Sequence, residues 1–343
     1  LSSLDRAGVA HASLGGVHPN PRLSLAREGV EQALAFGADF LLAVGGGSAI
    51  DTAKAIADGA ANPGVDLWDL WEGKVPLTAS LPVGVVLTIP AAGSESSNSA
   101  VLTHDETKVK RGFGSDLHRP RFAILNPELT ATLPPYQVSC GVVDIMMHTM
   151  DRYFNPISTN NLTDEIAEGV LRSTIRNGSL ALEQPGDYQA MSELMWAGSL
   201  SHNGLTGLGD IPDFAPHQLG HELSAMFDVA HGASLSAIWD SWARYCYQTN
   251  PARFARFGVK VWGLNPAGRD DESLALEAIE ATQAYFRSLN MPTSLSALGC
   301  GPLPEETLAE LAHRCTFQGA RTIGSFRVLG YEDILSIYRL ANH

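Results

Sequence analysis

FLLAVGGGSAIDTAKAIA, residues 40–57, decides how the rest of the chain is read. FLLAV (40–44) is a continuous apolar run, as expected of a strand buried on both faces of a parallel sheet. GGGS (45–48) turns the chain, and AIDTAKAIADGAA continues as a helix of small residues. The turn lets backbone N–H groups approach a phosphate, where the helix N-terminus adds a partial positive charge. This is not a Walker A loop, because G-x-x-x-x-G-K-[ST] is absent. It also departs from G-x-G-x-x-G, since Ile50 sits where the third glycine belongs. A tight turn without a ligand is the plain alternative, with Ser48 as an N-cap and Asp51 as its acidic partner three positions on.

On either side of this stretch the pattern alternates. PRLSLAREGVEQALAFG (21–37) predicts a helix with Leu23, Ala26, Val30, Ala33 and Leu34 on one face and Gly37 as its stop. VGVVLTIP (83–90) predicts a second buried strand and FAIL (122–125) a third. Strands alternating with helices imply a parallel sheet with crossover connections. The loop PAAGSESSNSAV (90–101) follows the second strand and is rich in small hydroxyl residues. Loops at the C-terminal ends of parallel strands collect ligands, so two such loops point to a nucleotide cofactor. Lys110 is available as a cation. After LNPELTATLPP (125–135) the periodicity becomes helical, as in LTDEIAEGVLRSTIRNGSLALEQ, DYQAMSELMWAGSLSHNGL, ESLALEAIEATQAYFRSL and EDILSIYRLA. The expected organisation is an α/β domain over 1–130 and an all-α domain over 131–343, with the boundary near 126–135.

Composition narrows the function classes. A length of 343 residues suits about two domains of roughly 150 residues. The net charge of −14 disfavours electrostatic binding to nucleic acid or to an anionic membrane. No apolar run reaches the ~20 residues a membrane helix needs. LSSLDRAGVAHAS at the N-terminus lacks the basic and apolar blocks of a signal peptide. Cys140, Cys246, Cys300 and Cys315 are scattered, as reduced thiols of a cytoplasmic protein are.

The ionisable residues suggest a metal. In GVVDIMMHTMDRYF (141–154), Asp144 and His148 are four apart and share a helix face. Asp144 lies among Val142, Val143, Ile145, Met146 and Met147, where a carboxylate is costly unless it is paired or bound to a metal. HQLGHELSAMFDVAHG (217–232) adds His217, His221 and His231. It is not H-E-x-x-H, since Ala225 stands at the second histidine position. Pro216 suits the first turn of a helix with Asp213 as a nearby cap, and Gly232 argues against an unbroken helix past His231. A buried Asp–His hydrogen bond and two exposed histidines form the plain alternative. Asp144 and His148 joined by two of the three histidines make an oxygen–nitrogen set suited to Fe2+, Zn2+, Co2+ or Ni2+, and too nitrogen-rich for Mg2+ or Ca2+. Spacing does not choose which two.

FLLAVGGGSAIDTAKAIA, LTIPAAGSESS, LPPYQVSCGVVDIMMHTMDRYF and HQLGHELSAMFDVAHG, in that order, closely resemble the iron-containing (group III) alcohol dehydrogenases, nearest the butanol dehydrogenase and broad-range aldehyde reductase branch. The resemblance implies a Rossmann-like dinucleotide-binding domain followed by a dehydroquinate synthase-like helical domain. It implies a divalent metal, Fe2+ or Zn2+ first and Ni2+ or Co2+ next, held by Asp144, His148, His217 and His231. His221 matches a cleft residue assigned to substrate contact or proton relay. Gly46, Gly47 and Ser48 would cradle the cofactor diphosphate, with Asp51, Thr88, Lys110 and Asn20 (in GVHPNP) at further cofactor positions. NADP(H) is favoured over NAD(H), the substrate is a small neutral alcohol or aldehyde, and a homodimer is expected. Family members usually open with a further βα unit, and LSSLDRAGVA resembles the helix that follows it, so that unit is expected to lie outside this sequence or to be absent; Ala92 stands in the second loop where a hydroxyl is frequent.

Two rival readings follow. Dehydroquinate synthase-like lyases share the architecture, NAD and a metal, but need several Lys and Arg for an anionic substrate. Around these ligands Arg152 is the main cation, which favours a neutral substrate. The second rival is a truncated, inactive metal-binding remnant.

Overall fold

The computed structural model describes residues 1–157 and 159–343. Its first part contains α1 (Ser2–Arg6), α2 (Leu23–Phe36), β1 (Leu41–Gly45), α3 (Gly47–Ala61), α4 (Leu67–Trp71), β2 (Val83–Leu87), β3 (Ser99–Thr103), β4 (Lys110–Gly114) and β5 (Phe122–Leu125). The second part is helical: α5 (Pro135–Tyr153), α6 (Asn161–Glu183), α7 (Tyr188–His202), α8 (Ala215–Phe227), α9 (His231–Cys246), α10 (Pro251–Phe257), α11 (Asp271–Ser288), α12 (Glu305–Cys315) and α13 (Tyr331–Ala341). No helix among the described residues is long and apolar enough to cross a membrane.

The predicted strands form one parallel sheet in the order β1-β2-β5, with Leu41 opposite Val83 and Gly84 opposite Phe122. The expected helix forms as α2, and Gly37 ends it in the left-handed conformation at φ 71°. Its buried stripe runs through Leu23, Ala26, Gly29 and Ala33, while Leu34 faces outward. Burial of β1 on both faces is not observed: Ala43 is buried, but Leu42 and Val44 are exposed. The sheet's inner face packs Ala43, Val83, Val85 and Leu87 against Ile50, Ala53 and Ala57 of α3. Its outer face carries Leu42 and Val44 in register with Phe122 and Ile124, all exposed. An antiparallel pair, β3 and β4, falls where the sequence suggested only loop. Four of the five residues of KRGFG in β4 are glycine or cation, so its strand signal is weak. Ala100 and Leu102 of β3 nevertheless pack with Leu23, Ala26, Trp68 and Trp71.

All the helices expected beyond residue 136 form. Their shared core holds Phe154, Trp239, Trp242, Phe254 and Phe257, each with at most 1% exposure. The two parts meet where residues 90–98 enter between α5 and α7. A Cβ on Gly141 of α5 would lie 2.1 Å from the Pro90 carbonyl oxygen, so only glycine permits this approach. Ser96 Oγ donates to the Ser199 carbonyl (2.9 Å), and Ser199 Oγ donates to Glu95 Oε1 (2.5 Å).

Lys54 of α3 holds the same loop from the opposite side. Its fully buried ammonium donates to the carbonyls of Ser94 (2.7 Å), Ser97 (3.2 Å) and Ser99 (2.8 Å) and to Ser94 Oγ (2.9 Å). A buried cation is tolerated only when its donors are satisfied in this way. Burial still pushes its pKa down to about 8, against the opposing charges of Asp51 and Glu95.

Gly141→Ala tests the close approach. Its methyl meets backbone that cannot rotate away, so urea unfolding should show a loss of about 1–3 kcal/mol, the usual cost of overpacking. An unchanged midpoint would mean that the loop seat is slack.

Candidate functional site

Pro135 starts α5 in a position where a missing N–H costs nothing. The helix then buries an apolar face that carries three polar side chains at i, i+4 and i+7: Asp144, His148 and Asp151. Asp144 is 4% exposed. Its Oδ1 has His148 Nε2 at 3.4 Å, His217 Nε2 at 3.6 Å and His231 Nε2 at 3.7 Å. These separations are long for hydrogen bonds. Both Asp144 Oδ1 and His217 Nε2 are buried without a hydrogen-bond partner. Groups left in this state are costly unless something occupies the space between them. Ligand atoms about 2.1 Å from a shared tetrahedral cation lie about 3.4 Å from one another. The donor set and its spacing therefore fit a divalent metal.

Asp144, His217 and His231 each offer a donor atom within 4.8 Å of the other two. His148 adjoins Asp144 but falls outside this group of three, and its Nε2 is 3.0 Å from His202 Nδ1. Burial, followed by the neighbouring His202 and His217, holds the His148 pKa well below the usual imidazole range.

The downstream histidines converge because the chain breaks between them. Pro216 lies in the first turn of α8, and Asp213 Oδ2 accepts from the Ala215 amide (3.3 Å), close to the expected cap. The helix stops at Asp228, which is left-handed at φ 53°. His231 then opens α9 as its first residue. The discontinuity expected from Gly232 thus lies before His231, at residues 228–230. His221, on α8, is 8% exposed, and its ring centroid is 5.2 Å from that of His231 and 6.1 Å from that of His217. It sits beside the donor group. Burial and then the Lys110 charge lower its pKa well below the usual value.

Several residues that the sequence reading passed over bear on this site. Asp151 Oδ2 accepts from His217 Nδ1 at 2.5 Å, and Asp151 is 1% exposed. Burial opposes a charge on His217, but the Asp151 carboxylate and then Asp144 outweigh it, so the net direction is upward. The seven-residue interval from Asp144 was a usable signal for Asp151. Lys54, three residues after Asp51, was similarly legible. His202 carried no local signal, because it reaches His148 from a different helix.

The expected cofactor residues form two groups. Gly46 is the N-cap of α3, followed by Gly47 and Ser48 in its first turn; Ser48 is therefore not the cap. Thr88 lies next to this turn, its amide donating to the Gly45 carbonyl (3.1 Å). A Cβ on Gly46 would lie 2.2 Å from Ile89 Cγ2, so the two strand-end loops touch only because glycine is there. Asn20 and Lys110 form the second group. Lys110 Nζ donates to Asn20 Oδ1 (3.0 Å), and Asn20 Nδ2 donates to Asp228 Oδ1 (3.1 Å). Arg22 also reaches Asp228 Oδ1 (2.6 Å), so this network joins the α/β part to the corner before His231. Burial pushes the Lys110 pKa down to about 8, with Asp144 and Asp51 opposing the shift. Asp51 lies between the groups and points elsewhere: it accepts from Ser94 Oγ (2.6 Å) and from the Val101 amide (3.0 Å).

Comparison with known proteins agrees with this arrangement. The iron-containing alcohol dehydrogenase family model matches residues 1–127, and the C-terminal model of the Fe-containing alcohol dehydrogenase family matches 138–342. The chain is 39% identical to NADH-dependent butanol dehydrogenase A of Clostridium acetobutylicum, over 98% of this chain and 85% of the relative. It is 38% identical to an NADPH-dependent aldehyde reductase of Escherichia coli, over 85% of this chain and 76% of that one. The crystal structure of NADH-dependent butanol dehydrogenase A from Thermotoga maritima superposes with a TM-score of 0.94 at 35% identity, covering 100% of this chain and 86% of its own. On these grounds the chain belongs to the iron-containing alcohol dehydrogenase family.

Proposed function

We propose that this NAD(P)-dependent alcohol oxidoreductase transfers hydride between a nicotinamide and a small neutral primary alcohol or aldehyde at the Asp144 cluster. The observation that carries the assignment is the unpartnered, buried Asp144 Oδ1 ringed by three imidazole Nε2 atoms at 3.4–3.7 Å. Asp144, His148, His217 and His231 would hold the divalent cation, Fe2+ or Zn2+ before Ni2+ or Co2+. When bound, it supplies Lewis acidity toward an alcohol or carbonyl oxygen, while the nicotinamide supplies or accepts the hydride.

The chain's own residues do the rest. The amides of Gly46, Gly47 and Ser48 at the start of α3 would cradle a diphosphate, with Thr88 beside them and Asn20 and Lys110 as a second cofactor contact, while Asp51 would act by holding the Ser94 loop. His221, beside His231, is assigned to substrate contact or proton relay. Burial of the cluster excludes bulk water and strengthens each electrostatic contact within it. The nearest cations are engaged by the protein itself, Arg152 with the His148 carbonyl and Lys110 with Asn20, which supports a neutral substrate over the anionic one of a dehydroquinate synthase-like lyase.

NADP(H) is proposed as the preferred dinucleotide: the E. coli relative is NADPH-dependent, whereas the C. acetobutylicum relative is NADH-dependent. A cytoplasmic homodimer completes the proposal.

The test is oxidation of NADPH and, separately, NADH by the metal-loaded protein with butanal, followed by absorbance and repeated after chelation. Turnover that chelation abolishes is expected, faster with NADPH; no turnover with either dinucleotide despite bound metal would reject the reading. His221→Gln should slow turnover roughly a hundredfold, the scale of a lost proton-transfer or orienting group, with metal content retained. Loss of metal from that variant would place His221 among the ligands instead.

A further inference from the structure

We infer that Asp151 is a positioning residue for His217, fixing the imidazole with its proton on Nδ1 so that Nε2 presents a lone pair to the cluster. The inference rests on the reading of His217 as a metal ligand and extends it to the group behind that ligand. His217 Nδ1 and Asp151 Oδ2 are 2.5 Å apart, and both residues are almost wholly buried, at 3% and 1% exposure. His217 Nε2, on the opposite side of the ring, has no hydrogen-bond partner and lies 3.6 Å from Asp144 Oδ1. A neutral imidazole carries one N–H, and its tautomer is set by the partner of the other nitrogen. A carboxylate accepts only, so the bond to Asp151 requires the proton on Nδ1.

The backbone reinforces this placement. The Asp213 amide donates to the Asp151 carbonyl at 2.7 Å, tying the approach to α8 to the helix that bears Asp144. Asp144 and Asp151 are seven residues apart on one helix face. One rigid element thus presents a candidate ligand and the group that orients another. His148 has no such support: its Nδ1 is buried without a partner, and its Nε2 lies against His202. Among these histidines, His217 is the one oriented by a carboxylate outside the cluster. Outer-shell carboxylates of this kind orient the ring and raise its basicity, and losing one typically costs tenfold to a hundredfold in metal affinity.

The test uses the full chain and Zn2+ in competition with a chromophoric chelator. Asp151→Asn keeps the size of the side chain but removes the anion, and it should weaken Zn2+ binding by roughly ten- to a hundredfold. A second readout separates positioning from general structural support. With 15N-labelled histidine in the metal-stripped chain at alkaline pH, where a free imidazole is neutral, wild-type His217 should carry its proton on Nδ1. In Asp151→Asn the Nε2–H form should appear. Zn2+ affinity within twofold of wild type, or a wild-type His217 protonated on Nε2, would overturn the assignment. If Asp151→Asn fails to fold, the wild-type tautomer decides alone. A wild-type chain that takes up no Zn2+ would overturn the metal-site reading itself, and this inference with it.

Discussion

The buried carboxylate of Asp144 is the constraint around which the helical part is arranged. Taking a charge out of water is expensive, and α5 places this one between Val143 and Ile145, both fully buried. Three imidazoles are brought to it from α5, α8 and the start of α9. Asp144 Oδ1 and His217 Nε2 face one another there without a hydrogen-bond partner. In the proposed reading the cluster would form the coordination shell of a divalent cation, whose binding would add to the stability of the helical core.

The α/β part serves the same centre through the loop between β2 and β3. Lys54 grips it from α3, Asp51 fixes Ser94 and Val101, and α7 receives Ser96 and Glu95. The loop therefore cannot shift as a surface loop does. The glycine turn before α3 and helix α5 both contact this immobilised segment, the turn at Ile89 and Ala92 and the helix at Pro90 between them. Hydride transfer requires the nicotinamide and the substrate carbon to be held in register, and in the proposed reading this shared, immobilised segment would help to align them.

Much of this was legible in the sequence because it depends on local pattern. The apolar runs at 40–44, 83–90 and 122–125 contain β1, β2 and β5, the second strand ending at Leu87, and the helical periodicity after 136 is realised helix by helix. Asp144, His217 and His231 meet as their residue types suggested. What escaped depends on partners distant in the chain. Asp151 finds His217 66 residues away, and Lys54 finds its acceptors 40–45 residues away. Asp51 reads as a helix-terminus residue by spacing, yet both its oxygens are taken up across the loop. The open sheet face was illegible for a related reason. FLLAV has the composition of a two-sided core strand, and only the placement of α3 reveals that one side stays uncovered.

The bonds from Asn20 and Arg22 to Asp228 have a mechanical consequence. Asp228 is the hinge-like residue between α8 and α9, three positions before His231. Moving the α/β part away from this corner would stretch these bonds. A partly exposed ion pair of this kind is worth about 0–1 kcal/mol, comparable to thermal energy. Such a clasp ties the two parts together at this corner without locking them. Because the clasp closes on the corner that delivers His231, the seating of the α/β part and the position of that imidazole are mechanically coupled.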